Sequence, residues 1–213
     1  MSTPSTRWWR AFDDIVDSAV APLRGNRAAD TAAAVISNLS DHGVIWILAA
    51  AVTGRRVERR RRAVVALAVS GMASLTVNAV LKAAVGRRRP DEVAGVPRRP
   101  PRPAVRRPTS SSFPSGHTLA AFTSAVVLAD GPAARAAYLA VAAGVGASRV
   151  QLADHHATDV AAGALIGTLL GLAARPLVER LAGRRPGRRA RRRPAGGMEA
   201  HGAGLATTWT TRR

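Results

Sequence analysis

The chain has 213 residues, no cysteine, and a formal net charge of +19. That length allows one domain with tails, and the absence of cysteine excludes disulfides and thiolate metal sites. Three Phe, four Trp and one Tyr are too few for a stacking nucleic-acid binder, so no specific nucleic acid is expected as a partner.

Arginine dominates the basic residues, and Lys82 is the one lysine. The first ten residues contain no apolar run, so no cleavable leader is expected. Residues 8–24 place Trp8, Trp9, Phe12, Ile15, Val16, Val20 and Leu23 at helical spacing, opposite Arg10, Asp13, Asp14 and Asp17. This pattern predicts an amphipathic helix, either lying in a membrane interface or packing conventionally.

Apolar blocks alternate with arginine-rich connectors. Residues 31–53 form the first block, broken by Asp41 and His42. In Ser40-Asp41-His42-Gly43 the expected role of Ser40 or Asp41 is a helix cap, with head-group contact as the alternative. Residues 63–81 carry no charge and match the ~20 residues a spanning helix needs at ~1.5 Å rise. Residues 86–112 hold eight Arg and six Pro, too many prolines for a helix. Apolar helices are then expected over 117–129, 133–148 and 155–177, the first two joined by an Asp130-Gly131-Pro132 turn. Their small residues suit close packing in a membrane. From Gly183 the tail is Arg, Pro, Gly and Ala without apolar periodicity, and is expected to be disordered.

The fold expected is therefore all-α: a membrane-embedded bundle of about five spanning helices plus the amphipathic N-terminal helix. The divisions are residues 1–27, a membrane domain over 28–178, and a basic tail over 179–213. Alternating spans put the end of helix 63–85, the start of 117–129, the end of 133–148 and the start of 155–177 on one face. Connector 55–62 and residues 179–194 carry fourteen Arg, against twelve on the opposite face. The positive-inside rule then puts those four ends outside the cytoplasm, most simply at a plasma (inner) membrane.

Those four ends carry the chemistry. Lys82, Arg89 and Arg149 are cations suited to an anion, Arg adding bidentate geometry to the point charge of Lys. Ser115 and Gly116 open a helix, where free amides and the dipole favour a phosphate. His155 and Asp159 are four apart and expected to share a helix face. Asp159 would accept the Nδ1 proton of His155 and leave Nε2 nucleophilic. His117, which has no evident carboxylate partner in the sequence, would protonate the leaving oxygen and then activate water. A charged residue in an apolar segment is costly, which marks Lys82 as functional. A metal at His155, His156 and Asp159 is not expected, because neighbouring histidines point to different helix faces.

Lys82-x6-Arg89-Pro90, Pro114-Ser115-Gly116-His117 and Ser148-Arg149-x5-His155-x3-Asp159 resemble the three signature motifs of the type 2 phosphatidic acid phosphatase superfamily. The superfamily also includes vanadium haloperoxidases and bacterial acid phosphatases. The resemblance covers about residues 63–177. It implies a membrane-embedded lipid phosphatase, with His155 as nucleophile, His117 as acid and Asp159 as orienter. Lys82, Arg89, Ser115, Gly116 and Arg149 would bind the phosphate of a lipid substrate, with neither metal nor cofactor. Asp154, His156 and Ala157 depart from many relatives, and Asp154 is expected to raise the pKa of either histidine, His155 or His156. The motifs name neither the lipid nor an oligomeric state. The competing readings are a silent membrane protein that recruits anionic partners through its tail, and a vanadate-dependent haloperoxidase-like enzyme. The intact motifs argue against the first and the apolar blocks against the second.

Overall fold

The computed structural model describes residues 4–53, 57–90 and 110–183, and every regular element among them is helical. The helices are α1 (Pro4–Val20), α2 (Arg27–Ser40), α3 (Val44–Thr53), α4 (Val57–Ala84), α5 (Gly116–Leu128), α6 (Pro132–Gln151) and α7 (Ala157–Leu181). Single 3-10 turns at Ala21–Leu23 and Asp41–Gly43 link α1 to α2 and α2 to α3. The tail expectation, and most of the Pro/Arg loop, fall on residues outside the described set.

Local chemistry explains several boundaries. Asn26 opens α2, its side chain accepting from the amides of Ala28 and Ala29 at 2.9 and 3.2 Å. Such a cap satisfies two donors that the helix itself leaves over. Gly131 takes φ 108°, a conformation other residues resist, and Pro132 then starts α6 with its φ already helical.

α5 is the central helix. Leu119, Ala121, Ala125, Val126, Val127 and Leu128 are all buried, and its neighbours α4, α6 and α7 surround it. A helix apolar all round belongs inside a bundle. α7 lies directly against it through Gly163, Gly167 and Gly171, three residues on one edge. A Cβ at Gly163 would stand 2.7 Å from the Ser115 carbonyl, and one at Gly171 would stand 2.8 Å from Val126 Cβ. At Gly167 it would collide with the Leu119 carbonyl. Close approach of this kind is how membrane helices gain packing where lipid offers no hydrophobic drive.

The outer edges carry the opposite pattern. Met72, Leu75 and Val80 on α4, and Leu165, Leu169 and Leu172 on α7, are exposed. Exposed apolar belts on helices of this length are what a lipid environment accommodates. Residues Arg59–Ala84 and Ala157–Leu181 are long and apolar enough to cross a membrane. The α2–α3 pair, bent by 75°, passes the same test together, while α5 is apolar but shorter. Of the five spans expected, two are full-length helices and a third is the bent pair, while α5 is too short and α6, with Arg135, is not among the helices apolar enough to cross.

α1 turns its apolar edge outward, unlike a conventionally packed helix. Trp9, Phe12 and Ile15 are exposed, while Asp13 on the opposite edge is buried. The reason is that α1 rests on α7 through its acidic edge, leaving its apolar edge outward.

At the end remote from Lys82, Arg62 is buried and donates to Glu179 at 2.8 Å and to the carbonyls of Leu128 and Val127 at 3.2 and 3.0 Å. It ties the C-terminal ends of α5 and α7 to the start of α4. Twenty residues separate it from Lys82, roughly 30 Å of helix, which is about the thickness of a bilayer core.

Candidate active site

Four helix ends meet as the chain direction requires: the C-terminal ends of α4 and α6 and the N-terminal ends of α5 and α7. Backbone bonds join them directly. The Ser115 amide donates to the Asp159 carbonyl at 3.0 Å, and the Asp154 and His155 amides point at the Arg149 carbonyl at 3.1 and 3.3 Å. The segment after α4 is laced to the segment before α5, with the Ser112 amide on the Arg87 carbonyl at 2.9 Å and Ser112 Oγ on the Arg88 carbonyl at 3.0 Å.

His155 lies in the turn before α7 and is 2% exposed. The helix begins at Ala157, not at His155 as expected. The pair is therefore not in helical register, and His155 Nδ1 stands 3.8 Å from Asp159 Oδ2, beyond a hydrogen bond. Nδ1 instead faces the Ser112 carbonyl at 2.7 Å. A carbonyl only accepts, so Nδ1 carries the hydrogen and Nε2 the lone pair. The expected tautomer is reached by a different partner. Nε2 faces Arg89 Nη1 at 3.5 Å.

Asp159 is fully buried, and both its oxygens are engaged. Oδ1 accepts from Arg87 at 2.6 Å, and Oδ2 accepts from the His156 amide at 2.9 Å. The second bond caps the start of α7, the ordinary use of a carboxylate in a first helical turn.

The three cations converge. Lys82 Nζ bonds Ser110 Oγ at 2.9 Å. Arg89 donates to the Ser110 carbonyl at 3.2 Å and to the Asp154 carbonyl at 2.7 Å. Arg149, 2% exposed, bonds Ser37 Oγ and pairs with Asp154 at 2.8 Å. Asp154 was expected to raise the pKa of either His155 or His156. Its carboxylate turns to Arg149 instead. The pKa of His155 is held below its ordinary value, by burial first, with the cations Arg89 and Arg149 adding to the effect and Asp159 opposing it.

Ser115 and Gly116 open α5 as expected, but the Ser115 amide is committed to Asp159, so it is not a free donor for an anion. The Ser115 hydroxyl accepts from Thr118 at 2.9 Å. Gly116 faces Asn78 closely: a Cβ there would stand 2.8 Å from that side chain's amide nitrogen. His117 was expected to lack a carboxylate. Its Nε2 lies 2.6 Å from Asp41 Oδ1, because the bend between α2 and α3 brings Asp41 back over α5. Asp41 is thus a site residue, while Ser40 Oγ bonds the Ser37 carbonyl and stays local.

Residues that the sequence did not single out complete the arrangement: Ser37, Arg87, Ser110, Ser112, Thr158 and Asp13. Arg87 and Asp13 lacked a readable signal, one being a member of an arginine run and the other of an acidic helix face. Among the described residues no cluster of three or more His, Cys, Asp or Glu is arranged to hold a metal.

The chain is thus an all-helical bundle with the apolar outer edges of an integral membrane protein and a cluster of cations at one end. The sequence profile of the PAP2 superfamily matches residues 61–182, and the chain belongs to that superfamily. Its fold is similar to that of the transmembrane PAP2-type phosphatidylglycerolphosphate phosphatase from Bacillus subtilis, with a TM-score of 0.60. The two share 24% identity over 84% of this chain and 88% of the other. No curated protein matches the chain.

Proposed function

We propose that the protein is an integral-membrane phosphatase that hydrolyses a lipid phosphate monoester or diphosphate through a phosphohistidine. The observation that carries this reading is the tautomer of His155. A main-chain oxygen holds Nδ1–H, and the lone pair on Nε2 faces the guanidinium of Arg89. A phosphoryl group with about −1.5 to −2 charge is the ligand that suits a nucleophilic lone pair set beside a group of cations.

In the reaction Nε2 of His155 attacks phosphorus, and the bond from phosphorus to the lipid oxygen breaks. Lys82, Arg89 and Arg149 neutralise the charge on the non-bridging oxygens, with Ser115 and Gly116 lining the same pocket. His117 gives a proton to the leaving oxygen. Its Nε2 is held by Asp41, so that proton comes from Nδ1, and the carboxylate stabilises the ring in its charged form. His117 then takes a proton from water, which attacks the phosphohistidine and releases inorganic phosphate. Asp159 sets the frame of the site rather than bonding the nucleophile directly.

No step draws on a metal, so EDTA should leave turnover intact; complete loss restored by zinc would refute this. The site lies at the membrane interface, on the extracytoplasmic side by arginine balance. The division into residues 1–27, 28–178 and 179–213 is part of the same proposal. Phosphatidic acid, phosphatidylglycerophosphate, isoprenyl diphosphates and phosphorylated polyprenyl carriers all present the required group. The test is phosphate release from these four classes by purified protein in detergent, beside His155→Ala. Equal rates from the two proteins would sink the proposal.

A further inference from the structure

Asp13 belongs to the first helix, yet it is buried among residues 74 and 145 positions away. Its Oδ1 accepts from the Thr158 amide at 2.8 Å and from the Thr158 hydroxyl at 2.9 Å. Its Oδ2 accepts from Arg87 Nη2 at 2.6 Å. The other terminal nitrogen of Arg87 reaches Asp159 Oδ1 at 2.6 Å and Thr158 Oγ1 at 2.7 Å. One guanidinium is thus gripped by two carboxylates, one from α1 and one from α7. Asp13 also caps α7 from outside the helix, satisfying a first-turn amide that α7 cannot satisfy itself. Trp9 adds an edge contact to Phe113, with ring centres 6.5 Å apart, next to the Ser112 carbonyl that holds His155.

From this geometry we infer that Asp13 is a positioning residue for the phosphatase reaction. It acts through Arg87 to fix Asp159 and the charge around His155, so α1 completes the active-site frame. The inference rests on the phosphatase reading for its kinetic consequence, but not for its electrostatic one.

A helix docked only for stability would behave differently, and the sign of one measurement separates the two cases. The charged and titratable groups that surround His155 are Arg89 at 3.5 Å, Asp159 at 3.8 Å, Arg149 with its partner Asp154, Lys82, and His117 with its partner Asp41. Beyond Asp159 stand Arg87 and Asp13. Asp13→Asn keeps the shape and removes one negative charge, leaving Arg87 balanced by Asp159 alone. The added positive charge disfavours imidazolium and moves His155 titration to lower pH. Simple loosening of α1 would admit water and move the titration upward, toward the ordinary value near 6.5.

The experiment uses the full chain in detergent micelles. The His155 ring is titrated by NMR, which needs no turnover, in wild type, Asp13→Asn, Arg87→Gln and the double variant. Asp13→Asn should titrate lower than wild type and Arg87→Gln higher. The double variant should titrate between them, since the two lost charges act oppositely, while its kcat should match that of Arg87→Gln, because Asp13 acts through that residue. On phosphatidic acid micelles, kcat of Asp13→Asn should fall about tenfold with KM little changed, the pattern of a lost transition-state contribution. Asp13→Glu should recover much of it. An unshifted or upward titration in Asp13→Asn overturns the inference, as does a double variant whose kcat falls below that of Arg87→Gln. If the wild-type chain released no phosphate from any lipid but the titrations moved as stated, the phosphatase reading would fail and the positioning inference would stand.

Discussion

Gly163→Ala offers a sharp test of how the site is built. A Cβ at Gly163 would lie 2.7 Å from the Ser115 carbonyl and 3.3 Å from both the Leu119 amide and Thr118 Cβ, where ordinary contact begins at 3.4 Å. The nearest atom is backbone and belongs to the first turn of α5, so it cannot swing aside. About 0.7 Å of separation between α5 and α7 is needed to clear it. Overpacking of this kind costs about 1–3 kcal/mol, against about 1 kcal/mol gained from helix propensity. The net loss should be about 0–2 kcal/mol, a Tm drop of up to roughly 8 °C for a chain of this size. Activity should suffer more than stability. The displaced turn carries Ser115, Gly116 and His117, and a 1 Å misplacement of catalytic groups can cost about a hundredfold. Phosphate release from lipid micelles and thermal unfolding in detergent read the two effects separately. Gly144→Ala is the control: that glycine lies in α6 with nothing within 4 Å of an added Cβ, so Tm should hold or rise and kcat should stay. Wild-type kcat and Tm in Gly163→Ala would refute the argument that α5 and α7 touch backbone to backbone there.

Asp41→Asn should lower kcat about tenfold on alkyl phosphate substrates and much less on p-nitrophenyl esters, whose leaving groups need little protonation; a loss independent of leaving group would remove Asp41 and His117 from the acid role. The pH profile of kcat/KM reports the free enzyme. Protonated His155 cannot attack, and burial holds its pKa below the ordinary value, so activity should be lost only as pH falls below about 6.5; an acid limb above that value would contradict the burial of the ring. Arg62→Met should strip partners from Glu179 and from two carbonyls, costing about 3 kcal/mol; Tm should fall while kcat at low temperature stays near wild type. Loss of kcat without loss of Tm would contradict the placement of Arg62 at the end remote from the site.

The sequence made the helix order and the shared face of four helix ends legible, because apolar block length and chain alternation leave few arrangements. It also made legible the site residues that carry rare chemistry, such as Lys82 in an apolar helix and His155 beside a charged turn. The partners of those residues were not legible. Asp41 reaches His117 only because α2 and α3 bend by 75°, and nothing in Ser40-Asp41-His42-Gly43 distinguishes that bend from a helix cap. The register of His155 and Asp159 was misread for a local reason: His-x3-Asp looks helical, but α7 starts two residues after His155. Arg87 was indistinguishable from Arg88 in a run of three arginines. Only the fold shows that one of them turns inward to Asp13 and Asp159.

The Ser112 carbonyl on His155 has a consequence for how such a chain can drift over generations. A main-chain oxygen has no codon of its own. Every residue type carries it, so what matters is that the chain still passes through that point. The inherited instruction for orienting the nucleophile is therefore a path rather than a letter. That path is written in the lacing of residues 87–88 to residue 112. A substitution at position 112 takes away the hydroxyl half of that lacing and keeps the amide half, whereas an insertion that slips the pairing by one residue would erase both.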